Sequence, residues 1–418
     1  MIRGLSGARL AAVMCICEIL CMAGFATYPA LLPILRAAWG MTNTQAGLVG
    51  GVLFLGYVVS VPLLTSITDR IDARRIYLVS SLIAACGTAY FAIFAHGFVG
   101  GLIGQALFGI GFGGVFMPGL KALSDRIHEE LQPRATACYL SLSGFGLAGS
   151  YLISGVIAAH ASWRLAFAFA TFGPLIAGLL VLCLMAPREP DPVTGPRPGF
   201  FRSFKLVFAN RPAAAYIGGY IAHCWEVQGV RAWMVAFLTF AAAQTGGSVG
   251  GLEPATLASI ISLGGIFSSI GANEFAKKFG RINLIVAIMA AGIVFGVATG
   301  FSWRVSLWVT TILLGGYYAT MMADAGALAA GAVSVASPEM RGATLGAYAM
   351  LGYGAGLFAP TAFGAILDLF GGSQSGGAWA AAFISLAFPN ILAIVVLRRL
   401  GLSPAAAPAS AGAKLAAS

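Results

Sequence analysis

The sequence predicts an all-α membrane protein, with twelve transmembrane helices in two pseudo-symmetric six-helix bundles and both termini cytoplasmic. Three observations carry the expectation. Of the 418 residues, 59% are hydrophobic and only 9% are charged, against about a quarter charged in a soluble domain. Continuous apolar runs of the roughly 20 residues that cross a bilayer recur along the whole chain. The chain also matches itself at one shift: Gly144-Phe145-Gly146 falls on Gly352-Tyr353-Gly354 and Thr136 on Thr344, and 352 − 144 and 344 − 136 both equal 208. Backbone in lipid must satisfy its own hydrogen bonds, which leaves helices or a closed barrel. Runs that are continuous rather than alternating exclude the barrel.

The elements follow in order. The first span covers 10–35; it is too long for a cleaved signal, with no small-residue cleavage site after a short core, and reads as permanent. The second, 45–67, ends at the loop Ile67 to Arg75, which packs five charges into nine residues. Such a loop cannot lie in hydrocarbon, so it is a short aqueous hairpin leading to the third span, 76–95. Spans at 98–122, 134–159 and 163–185 complete a first bundle, residues 1–185.

The linker 186–212 is the longest interior loop and is rich in Pro, Gly and Arg. In it Phe200, Phe201, Phe204 and Phe208 recur at helical spacing, with Arg202 and Lys205 between them. That pattern fits a short helix on the cytoplasmic lipid surface, or merely a greasy linker. Spans at 213–241, 254–275, 282–302, 305–332, 343–370 and 377–397 form a second bundle, 213–400. The tail, 401–418, is Ala, Pro and Ser and is expected to be disordered.

A net charge of +10 could mark a nucleic-acid binder, but its placement argues otherwise. Of the 24 Lys and Arg, 20 lie in the termini and in alternate loops, from Arg3 and Arg9 through the linker to Arg398, Arg399 and Lys414. This is the positive-inside pattern, which places both termini in the cytoplasm and makes the number of spans even. The seven cysteines all fall within predicted spans, without metal-site spacing, and read as packing residues. No phosphate-binding loop, nucleophile–base pair or metal cluster is present, so the sequence supports no enzyme, no cofactor and no ATP-driven step. The expected partners are a small molecule, protons and the lipid bilayer of the inner membrane, with the chain a monomer.

The charged loop resembles the conserved cytoplasmic loop of the major facilitator superfamily, roughly Gly-x-x-x-Asp-Arg-x-Gly-x-Arg-Arg between helices two and three. Asp69, Arg70, Arg74 and Arg75 match it, while Thr65 and Asp72 stand where glycines are usual. A degenerate second copy, Asn273 to Arg281, keeps Gly280 and Arg281 and has Lys277 and Lys278 where the acid would be. The resemblance reaches from the first helix to Leu397. It implies two parallel six-helix repeats working as a transporter, with the acid and the arginines latching the two domains on the cytoplasmic side; for Arg74 and Arg75 plain topology is the other reading. Proton-driven members often carry an arginine early in helix four, and Gln105 stands in that place here. The Gly-Pro pair that many drug exporters carry in helix five is absent.

Ionisable groups inside a bilayer are costly and are functional candidates by default. Here they are Glu18, His223, Glu226, Arg231 and Asp324. Glu18 and Glu226 are pseudo-symmetry mates, since 226 − 18 = 208. The resemblance places helices one, four, seven and ten around a central cavity, so the two carboxylates would face one aqueous site. Glu226, with Glu18 and His223, is the proton-coupling candidate; structural hydrogen bonding is the other reading. Glu226 and Arg231 point about 140° apart on one helix, so Arg231 must pair across to another helix, meet water or bind an anion. Trp225 and Trp233, with Tyr317 and Tyr318, line a substrate wall or serve packing. Asp324 is a gating candidate, and Asp368 caps a helix at the outer side. The expected function is proton-coupled transport of a small organic solute; the alternatives are a small-anion transporter using Arg231 and a non-transporting sensor or scaffold.

Overall fold

In the computed structural model the backbone is described for residues 5–189, 200–337 and 340–401, and the side chains of these except 200–203 and 270–279. Arg3, Arg197 and Lys414, the side chains of Phe200, Phe201, Arg202, Lys277 and Lys278, and the tail 402–418 lie outside the described residues.

The first half runs α1 (Gly7–Cys21), a 3-10 turn (Met22–Gly24), α2 (Thr27–Ala38), α3 (Asn43–Ile67), α4 (Ala73–Phe94), α5 (Gly97–Ser124), α6 (Gln132–His160) and α7 (Trp163–Leu184). After α8 (Phe200–Ala209), the second half runs α9 (Arg211–Thr245), α10 (Pro254–Phe279), α11 (Arg281–Ser302), α12 (Leu307–Val335), α13 (Arg341–Leu369) and α14 (Gly376–Leu400). The fold is all-helical; β-pairing among the described residues is a single bridge between Val249 and Leu252. Polar caps start the helices where the sequence has Ser, Thr, Asn or Asp: Ser162, Asn210, Ser306 and Ser375 accept from the first turn, and Thr42 forms a capping box with Gln45. Among the described residues nine helical segments are long and apolar enough to cross a membrane, Gly7–Ala38 first among them. Helices α9 and α12 are not in that set; they carry His223, Glu226, Arg231 and Asp324.

The first span is not one helix. Ala26 leaves the helical conformation, with φ −102° and ψ 4°. Pro29 has no N–H, so the Phe25 carbonyl loses the partner that an unbroken helix would give it. Two serines on α6 brace the break, one through its backbone and one through a side chain. The Ala26 N–H donates to Ser150 Oγ (3.0 Å), and the same hydroxyl donates to the Ala23 carbonyl (2.7 Å). Ser154 bonds Thr27 Oγ1, which bonds Ala23 as well. The Ala26 N–H and the Ala23 carbonyl at this irregular point of the backbone are thus met within the protein.

Glycines let the helices approach backbone to backbone. A Cβ at Gly109 would strike the Leu53 carbonyl, and one at Gly111 would strike Ala84. The same device joins the two halves. We call the side opposite the arginine-rich loops the outer side. From that side inward, α3 and α13 meet at Asn43 and Asp368, at Gly47 against Pro360, at Gly51 against Leu357, and at the ring pair Tyr57 and Tyr353, tilted with centroids 4.7 Å apart. Helix α6 packs on α10 through Gly155 and Ala255, and α2 lies against α9.

The linker helix α8 docks on the second half. Val207 is buried and Phe204 packs beside it against the cluster of Tyr216, Ala215 and Ala347. Its greasy face is therefore at least partly consumed by protein, which the spacing of the phenylalanines alone did not distinguish from a lipid-facing helix.

Candidate functional site

Where the break in the first span meets the seam there is a narrow cavity, with about 20 Å³ of room for water centres. Phe25 and Ala26 of the break, Tyr28, Leu53 and Phe54, and Leu147 and Tyr151 of α6 form its apolar walls. Three polar side chains reach it: Gln105 from α5, and Gln228 and Arg231 from α9. Helices of both halves therefore contribute.

Arg231 is held but not neutralised. Its Nε donates to Tyr318 Oη (2.9 Å), and Nη2 lies 3.7 Å from the Met322 sulfur. The guanidinium also stands over the Tyr318 ring, 5.8 Å from its centroid. Tyr151 Oη bonds the Arg231 carbonyl at 2.6 Å, tying the two halves at this point. No carboxylate lies within ion-pair distance of Arg231 among the described residues. Gln105 is buried, and its Oε1 has no hydrogen-bond partner.

Glu226 sits elsewhere, inside the second half. Tyr317 Oη donates to its Oε1 at 2.6 Å. Gly292 of α11 leaves space beside the carboxylate, and Asn390 of α14 is buried beside it. One turn before Glu226, His223 Nδ1 bonds Asp324 Oδ1 at 2.7 Å. His223 is thus the partner of Asp324 rather than of Glu226, and its ring stacks on Tyr220. Asp324 is buried in this cluster rather than standing free at a helix end. Glu18 is wholly buried in the first half with both oxygens unbonded; the Tyr139 hydroxyl and the thiols of Cys15, Cys17 and Cys21 are the groups beside it.

The pseudo-symmetry expected of Glu18 and Glu226 thus puts each acid within its own half, and the cavity between the halves receives neither. Of the expected wall, Tyr318 supports Arg231, whereas Tyr317 serves Glu226. Trp225 packs against the core with its indole N–H unpartnered, and Trp233 bonds the Pro360 carbonyl in the outer aromatic cluster.

At the arginine-rich loop, Asp69 is half-buried, and Arg70 and Arg75 are exposed. Arg74 Nη2 bonds the Leu182 carbonyl at 2.8 Å. The hub of the loop is Asp72, which fills a place where the resemblance leads one to expect glycine. Its Oδ1 accepts from Arg126 Nη2 (2.7 Å) and from the Arg74 N–H, and its Oδ2 from the Arg188 N–H. Burial opposes the charge on Asp72, but the Arg126 guanidinium and the two backbone N–H groups outweigh it and hold the carboxyl below the usual carboxylate range. In the second half Arg281 bonds Ser334 Oγ (2.8 Å). Ser334 and Arg126 are equivalent positions, since 334 − 126 = 208, so both loops brace the same helix end with different chemistry. Sequence reasoning missed Asp72, Tyr151 and Ser150. For Asp72 the signal was the charge standing in a glycine position.

A family model described as Major Facilitator Superfamily matches residues 14–360. The inner membrane transport protein YnfM of Escherichia coli is 27% identical over 202 residues, 45% of this chain and 47% of that protein. A probable 4-methylmuconolactone transporter of Cupriavidus pinatubonensis is 27% identical over 152 residues, 36% of this chain and 35% of that protein. The chain thus matches half or less of the length of these curated relatives. Among solved structures, the nucleoside transporter NupG superposes with a TM-score of 0.76 at 14% identity, covering 94% of this chain and 99% of that one. A bacterial homologue of the lysosomal transporter Spinster, inward-facing and unoccupied, gives 0.69 at 16% identity, covering 94% and 95%.

Proposed function

Because the chain belongs to the major facilitator superfamily, we propose that it moves a small organic solute by alternating access and couples that movement to protons. It is a multi-pass protein of the inner membrane. The observation that supports this reading best is the division of labour around α9. One face of that helix presents Arg231 to the cavity between the halves, while another buries Glu226 against Tyr317. Glu226 is the proton carrier in this reading, with His223 and Asp324 beside it. Glu18 is the equivalent acid of the first half. Residues 1–185 and 213–400 are the two moving bodies, joined by 186–212, and the seam of α3 on α13 closes the outer side between them. Asp69, Arg70, Arg74 and Arg75 belong to the opposite, cytoplasmic gate.

Proteoliposomes carrying a pH-sensitive dye test this. A solute that the purified protein binds should drive proton movement through the wild type, and Glu226→Gln should abolish the coupling. Uptake that is the same for Glu226→Gln and wild type, with and without a pH gradient, defeats the reading. The position of Arg231 at the cavity, with Glu226 away from it, favours one second reading: an anion transporter with no proton step. It predicts loss of transport in Arg231→Gln and retention in Glu226→Gln.

A further inference from the structure

We propose that the cavity between the halves takes an organic monocarboxylate that also carries a hydrogen-bond donor, with its carboxylate on Arg231 and its donor on Gln105. The inference rests on the transporter reading and names its substrate class. Three features of the cavity carry it. The first is charge. Arg231 is a cation at membrane depth whose polar side-chain contacts are a neutral hydroxyl and a thioether, and an uncompensated charge there is expensive. Guanidinium pairs a carboxylate through two parallel N–H···O bonds; with Nε engaged by Tyr318, Nη1 and Nη2 are the donors left for a ligand, Nη2 exchanging its weak contact with the Met322 sulfur. The second is number. Neither Lys, His nor a second Arg lines the cavity, so one negative charge is matched and two are not. The third is Gln105. Buried side-chain acceptors are almost always bonded, and Gln105, a residue of the cavity lining, has a buried Oε1 without a partner; a hydroxyl or N–H on a solute that enters when the halves part completes it.

Between those two polar ends the walls are Phe25, Tyr28, Phe54 and Tyr151, so the body of the solute is apolar and aromatic faces can sandwich it. At about 20 Å³ the cavity holds water rather than a solute. Loading therefore requires the halves to part, which is what alternating access supplies.

The test uses the full-length protein in detergent and four matched probes: 4-hydroxyphenylacetate, phenylacetate, 4-hydroxyphenylacetamide and tyramine. Calorimetric titration should rank 4-hydroxyphenylacetate tightest, with phenylacetate about tenfold weaker for one lost hydrogen bond, and the neutral amide and the amine at least about thirtyfold weaker for the lost charge pairing. Arg231→Gln should erase the preference for carboxylate over amide, while Arg231→Lys should keep part of it. Gln105→Leu should erase only the preference for the hydroxyl. Thermal unfolding of each variant checks that it is folded. An amide or amine that binds as tightly as the carboxylate, a carboxylate preference that survives Arg231→Gln, or no binding of any probe to the wild type overturns the proposal. Transport of a neutral or cationic solute that still depends on Glu226 would overturn this inference alone and leave the transporter reading standing.

Discussion

Asp368 on the last turn of α13 holds Asn43 on the first turn of α3, 325 residues away: its Oδ1 accepts from the Asn43 backbone N–H at 3.1 Å and from Asn43 Nδ2 at 2.7 Å. Its Oδ2 accepts from the N–H and hydroxyl of Thr44 at 2.8 and 2.7 Å. The acid therefore caps a helix of the other half, not its own. A carboxylate at the C-terminus of its own helix would be disfavoured, whereas the N-terminus of α3 offers free N–H groups and a positive dipole end. This fastens the outer side without any lysine or arginine.

Asp368→Asn should loosen that fastening. It removes the charge from bonds worth about 1.5–3 kcal/mol each when charged, so the outward-open population should rise roughly tenfold. In a cysteine-free background with Ala232→Cys at the cavity, a membrane-impermeant maleimide added from the outer side should label the Asp368→Asn protein faster. Equal labelling rates would show that the cap does not govern outer closure.

Gly47 should not tolerate a side chain. A Cβ there meets the Pro360 carbonyl and the Thr361 Cα, backbone atoms that cannot rotate away. Gly47→Val should therefore cost about 1–3 kcal/mol of the closed seam and raise the same labelling rate. Gly149, where a Cβ meets nothing within 4 Å, is the contrast: Gly149→Ala should leave labelling unchanged and raise the melting temperature slightly, since alanine favours helix by about 1 kcal/mol.

Ser150→Ala should destabilise the first half. It leaves the Ala26 N–H without its acceptor and withdraws a donor from the Ala23 carbonyl, and a buried unmet group costs about 1–3 kcal/mol. Ser154→Ala should cost less, because Thr27 keeps its own bond to Ala23. Melting temperatures in detergent should rank wild type above Ser154→Ala above Ser150→Ala.

The Asp72 and Arg126 pair should show a pH signature. The folded carboxyl titrates below its unfolded value, so the unfolded chain binds the proton first. The stabilisation is therefore complete above the ordinary carboxylate value of about 4, and is lost as pH falls through the lowered folded value. The melting-temperature gap between wild type and Asp72→Asn should be widest near neutrality and shrink in acid. A gap that is constant with pH would mean that the charge on Asp72 does not matter.

Much of the fold could be read from hydrophobic length and charge placement, because a bilayer forbids most alternatives. The loop at Asp69 to Arg75, the linker and the Arg231 candidate all came from that reading. The site was less legible. The 208-residue shift pairs Glu18 with Glu226 by position, but a shift says nothing of which face an acid presents, and neither acid lines the cavity between the halves. Arg231 and Gln105 meet at one cavity although they are 126 residues apart (231 − 105 = 126), a proximity no local pattern carries. The break at Ala26 was hidden because hydropathy cannot see backbone; Pro29, early in a helix turn, was the cue. Asp72 was visible as an exception to the expected loop, yet its distant partners, Arg126 and Arg188, lie just past α5 and past α7, beyond the reach of spacing.

The break in the first span also bears on how the chain is made. Its Ala26 N–H and Ala23 carbonyl are met by Ser150, 124 and 127 residues downstream, and Ser154 bonds the Thr27 hydroxyl beside them. While α1 and α2 emerge from the ribosome those serines do not yet exist. In lipid an unmet amide is costly, so the bend gains its support from the protein only when α6 arrives. The geometry at the entrance to the cavity in this sense waits on assembly: the first element synthesised is braced by α6, a helix made well after it.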